Sequence, residues 1–89
     1  MPVSVLSVGF GNYVAREKIV AILGSDSAPI KRAVQEARKR GQLIDATQGR
    51  KTRSVVFMEN GHIVISGLSQ ETLARRAGST VPGAETEDA

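Results

Sequence analysis

The stretch Gly49-Arg50-Lys51-Thr52-Arg53 sets three cations within four residues. A guanidinium donates two parallel hydrogen bonds to phosphate oxygens through its planar fork. It also suits a narrow A·T-rich minor groove, where the negative potential is enhanced. Gly49 permits a close approach of backbone to a ligand. In an extended segment Lys51 and Arg53 share one face while Arg50 and Thr52 share the other. The chemistry this pattern offers is polyanion binding from a hairpin-like turn. The plain alternative is a solvated charged turn that protects a sheet edge from pairing with another chain.

Other chemistry is sparse. The chain has no cysteine and one histidine, His62, so neither a thiolate centre nor a zinc site is expected. Gly9-Phe10-Gly11 lacks the rest of a G-x-G-x-x-G pattern and reads as a β-turn rather than a phosphate cradle. Asp26 reads as part of a helix-start loop, Asp45 as a charge partner for a neighbouring Arg or Lys, and His62 as an exposed strand residue. With no nucleophile–base pair, paired carboxylates or metal cluster in the pattern, neither an enzyme nor a cofactor or small-molecule substrate is expected.

The charge distribution strengthens the polyanion reading. The 89 residues carry a net charge of +3, but Glu85, Glu87 and Asp88 lie in a tail without Lys or Arg. Without them, 12 basic residues face 6 acidic ones, or +6. Residues 31–53 alone hold 8 basic residues against Glu36 and Asp45, again +6. Charge so local attracts a polyanion. Lys31, Arg32, Gln35, Arg38 and Lys39 share one polar helix face that can rest across phosphates, or simply solvate an amphipathic helix. Arg16 and Lys18 begin a strand and add to a basic surface, although snorkelling side chains give the same pattern.

The elements that must carry these residues follow from periodicity. Val3 to Phe10 alternates as a buried strand, with Leu6, Val8 and Phe10 on one face, and Tyr13 to Ala15 restarts the chain after a turn. Lys18 to Leu23 is a second main strand. Ser27 can cap a helix with Pro29 in its first turn, and Ile30, Ala33, Val34 and Ala37 form its apolar face. Gly41 ends it. Leu43 to Thr47 and Thr52 to Met58 read as strands, and Asn60-Gly61 signals a two-residue hairpin returning through His62 to Ser66. Ser69 can cap a short helix to about Ala77. The expected fold class is α+β: a small, largely antiparallel sheet with one main amphipathic helix and a short C-terminal helix. Residues 1–77 form one domain, and residues 78–89 form a disordered acidic tail.

A chain of this size buries only about 60% of its unfolded surface, so its core is marginal. With disulfides and metals set aside, oligomerisation is the remaining source of stability. Single-strand binders need aromatic platforms. This chain has only Phe10, Tyr13 and Phe57, and Phe10 and Phe57 fall in strands. A duplex contacted mainly through its backbone fits better, and repeated subunits would multiply weak contacts. No signal peptide or membrane span is read from the N-terminus, so a soluble, cytoplasmic protein is expected.

Gly9-Phe10-Gly11-Asn12, then Asp26-Ser27-Ala28-Pro29-Ile30-Lys31-Arg32, then Ile44-Asp45-Ala46-Thr47 with Gly49-Arg50-Lys51-Thr52-Arg53 closely resemble the RemA family of bacterial biofilm-matrix regulators. The resemblance runs from about Val3 to Ala77. It implies a DNA-binding transcriptional regulator that forms a ring, with a fold similar to the DNA-binding domain of LytTR-type response regulators. Duplex DNA would bend along basic residues repeated around that ring, with little base-by-base reading. The implied DNA contacts are Lys18, Arg50 and Lys51, with Arg53 added by proximity and Arg16, Lys31 and Arg32 as auxiliary contacts. Pro29 matches a functionally sensitive position that shapes the helix start or a subunit contact. Lys51 and Lys18 depart from the arginine usual in the family; lysine keeps the charge but loses the fork. The alternatives that remain are an RNA-binding regulator and an oligomeric structural protein without nucleic acid.

Overall fold

The computed structural model describes residues 4–78. It is α+β, as the sequence implies: six strands, two α-helices and one 3-10 turn. Strands β1 (Val5–Gly9) and β2 (Asn12–Ala15) form an antiparallel ribbon. The 3-10 turn Arg16–Lys18 leads into β3 (Ile19–Gly24). Helix α1 (Ala28–Lys39) precedes β4 (Leu43–Asp45), β5 (Ser54–Met58), β6 (Ile63–Ser66) and α2 (Gln70–Arg76). Strands β3 to β6 assemble into one sheet with β3 and β4 outermost, in the order β3-β5-β6-β4. Their pairing is antiparallel except for β4 against β6, which is parallel.

Both faces of this sheet are covered, which explains the unbroken apolar runs Val55-Val56-Phe57 and Ile63-Val64-Ile65. Val55, Ile63 and Ile65 pack with Ala37 beneath the apolar face of α1, joined by Ile30, Ala33, Val34 and Leu43. Val56 and Val64 point the other way, onto Leu6 and Val8 of the ribbon and Leu73 of α2. Two buried serines stitch these layers together. Ser66 Oγ donates to the Val8 carbonyl at 2.8 Å and accepts from the Leu68 N–H at 3.0 Å; Ser54 Oγ donates to the Leu68 carbonyl at 2.7 Å.

Local signals set the boundaries of α1. Ser27 Oγ accepts from the Ile30 N–H at 3.3 Å, with Pro29 in the first turn. At the other end Gly41, with φ of +74°, donates to Arg38 O, and Gln42 donates to Ala37 O at 2.8 Å. Those paired bonds are the Schellman closure of a helix.

Several expectations change. Phe10 lies outside β1: it occupies a turn at φ +56° and is 50% exposed, because Gly9 at φ +107° ends the strand before it. Lys18 closes the 3-10 turn rather than starting β3. Strand β4 stops at Asp45, and β5 begins only at Ser54. The Asn60-Gly61 hairpin is one residue longer than the two-residue form. Met58 pairs with His62 through its N–H, Gly61 donates back to Met58 O, and Gly61 alone takes positive φ, so the loop spans Glu59 to Gly61. Of the expected acidic tail, residues 79–89 lie outside the described residues.

Candidate nucleic-acid interface

The basic segment is an arch rather than a hairpin. Strands β4 and β5 are separated by β6, so the chain from Asp45 to Ser54 must cross the end of β6. Ala46 N–H bonds Ile65 O and Arg53 N–H bonds Ser66 O, pinning both feet of the arch to that strand. Inside it, Asp45 Oδ1 accepts from the Thr47 N–H at 2.8 Å and from Thr47 Oγ1 at 2.6 Å. Those bonds, the side-chain one first and the backbone one next, hold the Asp45 carboxyl below its ordinary value; desolvation opposes them and Arg38 assists. Asp45 thus anchors the turn, with cation pairing in a lesser part.

Gln48 and Gly49 follow with φ of +53° and +82°, and Arg50 N–H closes the turn onto Thr47 O at 3.0 Å. Positive φ at both central residues marks the primed turn family, for which glycine is well suited. Beyond it Gly67 passes under the arch, where an added Cβ would lie 3.6 Å from both Arg50 Cβ and the Lys51 carbonyl. Ser25 Oγ bonds Thr52 O at 3.0 Å and ties the arch to the end of β3.

This scaffold displays Arg50, Lys51 and Arg53 to solvent, and among the described residues no carboxylate lies within ion-pair distance of them. Lys51 shares an open cleft of about 390 Å³ with Lys31 and Arg38 of α1, so the structure joins the helix to the arch. Arg53 faces a second groove, whose rim also holds Asp26 and Glu71. Arg32 is exposed on α1 but does not line either groove.

Lys18 is elsewhere. It precedes Ile19, which pairs with Met58, whereas the arch joins β5 at Ser54, which pairs with Gly24. The strand length between these ends is roughly 17 Å at about 3.3 Å per residue. Lys18 Nζ stands 3.9 Å from Glu59 Oε1, both side chains exposed. Arg16 is committed to the fold: its Nη2 donates to Val5 O at 3.3 Å and Arg76 O at 3.4 Å, tying the ribbon to the end of α2. One member of the cluster was missed by sequence reasoning. The guanidinium of Arg50 lies over the Phe10 ring, 5.0 Å from its centroid. The only signal was an aromatic residue flanked by two glycines.

The site is thus a cation-bearing arch at one end of the four-stranded sheet of a small α+β domain, a binding surface of exposed basic side chains. Comparison with known proteins makes this specific: residues 5–77 match the RemA-like profile, described as extracellular matrix regulatory protein A-like, and the chain belongs to that family. Three similar proteins are each named "Putative regulatory protein". That of Moorella thermoacetica is 49% identical over 99% of this chain and 97% of its own length. That of Synechococcus sp. strain JA-2-3B'a(2-13) is 47% identical over 98% of both chains. That of Alkaliphilus metalliredigens is 48% identical over 98% of this chain and 94% of its own. These names are regulatory rather than enzymatic. No helix among the described residues is long and apolar enough to cross a membrane.

Proposed function

We propose that this protein is a cytoplasmic transcriptional regulator of matrix-type genes that binds duplex DNA as a ring of identical subunits. The observation that carries the reading is the arch over β6, which holds Arg50, Lys51 and Arg53 on a rigid base with no acidic partner among the described residues. Unpaired cations on a fixed scaffold exchange condensed counterions for phosphates with little ordering cost. Lys31 and Arg38 of α1 line the same cleft as Lys51, together with Asp26. Lys18 adds a separate point of contact: an exposed ion pair at 3.9 Å is weak, so Glu59 yields readily to a phosphate.

The sheet supplies a reason for assembly. Its two outer strands are β3 and β4, and each bears an exposed aliphatic side chain, Val20 at 65% and Ile44 at 49%. Two different edges meeting head to tail make a heterologous contact, which closes into a ring when the rotation permits. Pro29, at the start of α1, acts in this reading by fixing the helix beside the cleft.

The test is the salt dependence of binding to a labelled duplex. An Arg50→Ala, Lys51→Ala double variant that retains its assembly should lose affinity, and each lost phosphate contact should lower the log–log salt slope by about 1. An unchanged slope removes the arch from the interface. Single-stranded RNA binding much more tightly than duplex DNA at equal salt would transfer the site to RNA.

A further inference from the structure

We infer that Phe10 is a positioning residue for the nucleic-acid interface, acting through Arg50. This rests on the arch being the DNA-contacting surface. The tip of the ribbon places an aromatic ring in solvent, 50% exposed, where a small polar residue would ordinarily serve. Its backbone is in the left-handed region at φ +56°, between Gly9 at +107° and Gly11 at +75°. A bulky residue is disfavoured there and persists only where its surroundings hold it. The ring contributes little to either core, since neither apolar cluster includes it. What it does touch is the Arg50 guanidinium, 5.0 Å above the ring centroid.

Arg50 is held at two levels by different parts of the fold. Its backbone N–H is bonded to Thr47 O at 3.0 Å. Phe10 supplies the second constraint, on the charged end of the side chain. A guanidinium lying over an aromatic face is restrained by the ring quadrupole while its edge N–H donors stay free. Those edge donors are the ones that grip phosphate oxygens in pairs. An arginine that is otherwise free to sample many rotamers is thereby ordered before DNA arrives, which reduces the entropy cost of binding. The ribbon and the arch are far apart in sequence, so the contact links the Gly9–Gly11 turn to Arg50.

The experiment measures duplex affinity and salt slope, by anisotropy of a labelled duplex, for Phe10→Ala, Phe10→Leu, Phe10→Trp, Arg50→Ala and the Phe10→Ala, Arg50→Ala double variant. Loss of an exposed cation–π contact corresponds to a weakening of about two- to fivefold per site. Phe10→Ala and Phe10→Leu should show that weakening, Leu failing although it keeps apolar volume. Phe10→Trp, which retains a stronger face for the cation, should bind as the parent does. The double variant should be no weaker than Arg50→Ala alone, because Phe10 has nothing left to hold. Additive losses in the double variant, or Phe10 variants that bind as the parent while Arg50→Ala weakens, overturn the inference and leave the DNA site standing. Unchanged affinity and slope in Arg50→Ala overturn the DNA reading itself and this inference with it.

Discussion

Asp45→Asn should loosen the arch that carries Arg50, and should do so only at a pH where the native carboxylate is ionised. Two hydrogen bonds from Thr47, at 2.6 and 2.8 Å, favour the charged carboxylate and hold it below the ordinary 3.8. The unfolded chain lacks them. Ionised Asp45 therefore stabilises the fold above the unfolded value, and that contribution is lost as pH falls through the depressed native value. Asparagine keeps a neutral acceptor for Thr47 and loses the charge assistance. Comparable side-chain caps are worth about 1 kcal/mol. Because Asp45 is exposed and water screens it, the expected cost is the lower part of that scale, about 0.5–1 kcal/mol. For a domain of this size each kcal/mol corresponds to about 4–8 °C in Tm, so a deficit of about 2–8 °C is expected near neutral pH. Thermal unfolding followed by circular dichroism reads it directly, at equal protein concentration so that any association contributes equally. The deficit should shrink towards zero well below 3.8. A deficit of equal size at acidic and neutral pH, or none at neutral pH, refutes the anchoring role.

Ser66→Ala strands the buried Val8 carbonyl and the half-buried Leu68 N–H, so urea unfolding should show a loss of about 1–3 kcal/mol; less than about 1 would mean the ribbon re-pairs. Ile44→Lys or Val20→Lys places a charge on an open sheet edge, and native mass measurement should then show smaller assemblies while each subunit keeps its fold. Retention of the parent mass in both variants removes the edges from the subunit contact.

Periodicity made much of this fold legible. The Ser27 cap, Pro29 and the Ile30, Ala33, Val34, Ala37 stripe define α1 almost to its observed bounds, because a helix carries its signals within itself. Strand partners do not. Nothing local to Asp45–Ser54 reveals that β6, which follows it in sequence, lies between β4 and β5. A turn that resembled a hairpin was therefore an arch. Phe10 escaped for a related reason: its apolar side chain continued the alternation of Leu6 and Val8, while the break came from the φ of Gly9. The cations themselves were visible as charge density, but their grouping was not. Lys31 joins Lys51 across the cleft, Arg16 is drawn into the fold, and Lys18 falls at the far end of β3. Sequence spacing reports which residues are charged; only the sheet order reports which charges are neighbours.

That grouping bears on how charge and assembly are to be separated. In the proposed reading a single subunit offers only a few phosphate contacts, and contacts of that number give weak binding with a shallow salt slope. Repetition around a ring multiplies them through effective concentration without any new chemistry. The lysine variants on the sheet edges distinguish this from simple attraction, because they add positive charge to a subunit already rich in it. Electrostatics alone would make them bind DNA more tightly. If assembly is what converts the arch into a DNA-binding surface, they should bind more weakly despite the added charge, with a smaller salt slope as fewer arches engage at once. Tighter binding by a smaller assembly would mean that one subunit suffices and would refute the role proposed for the ring. The opposite signs of the two effects let one titration decide between them.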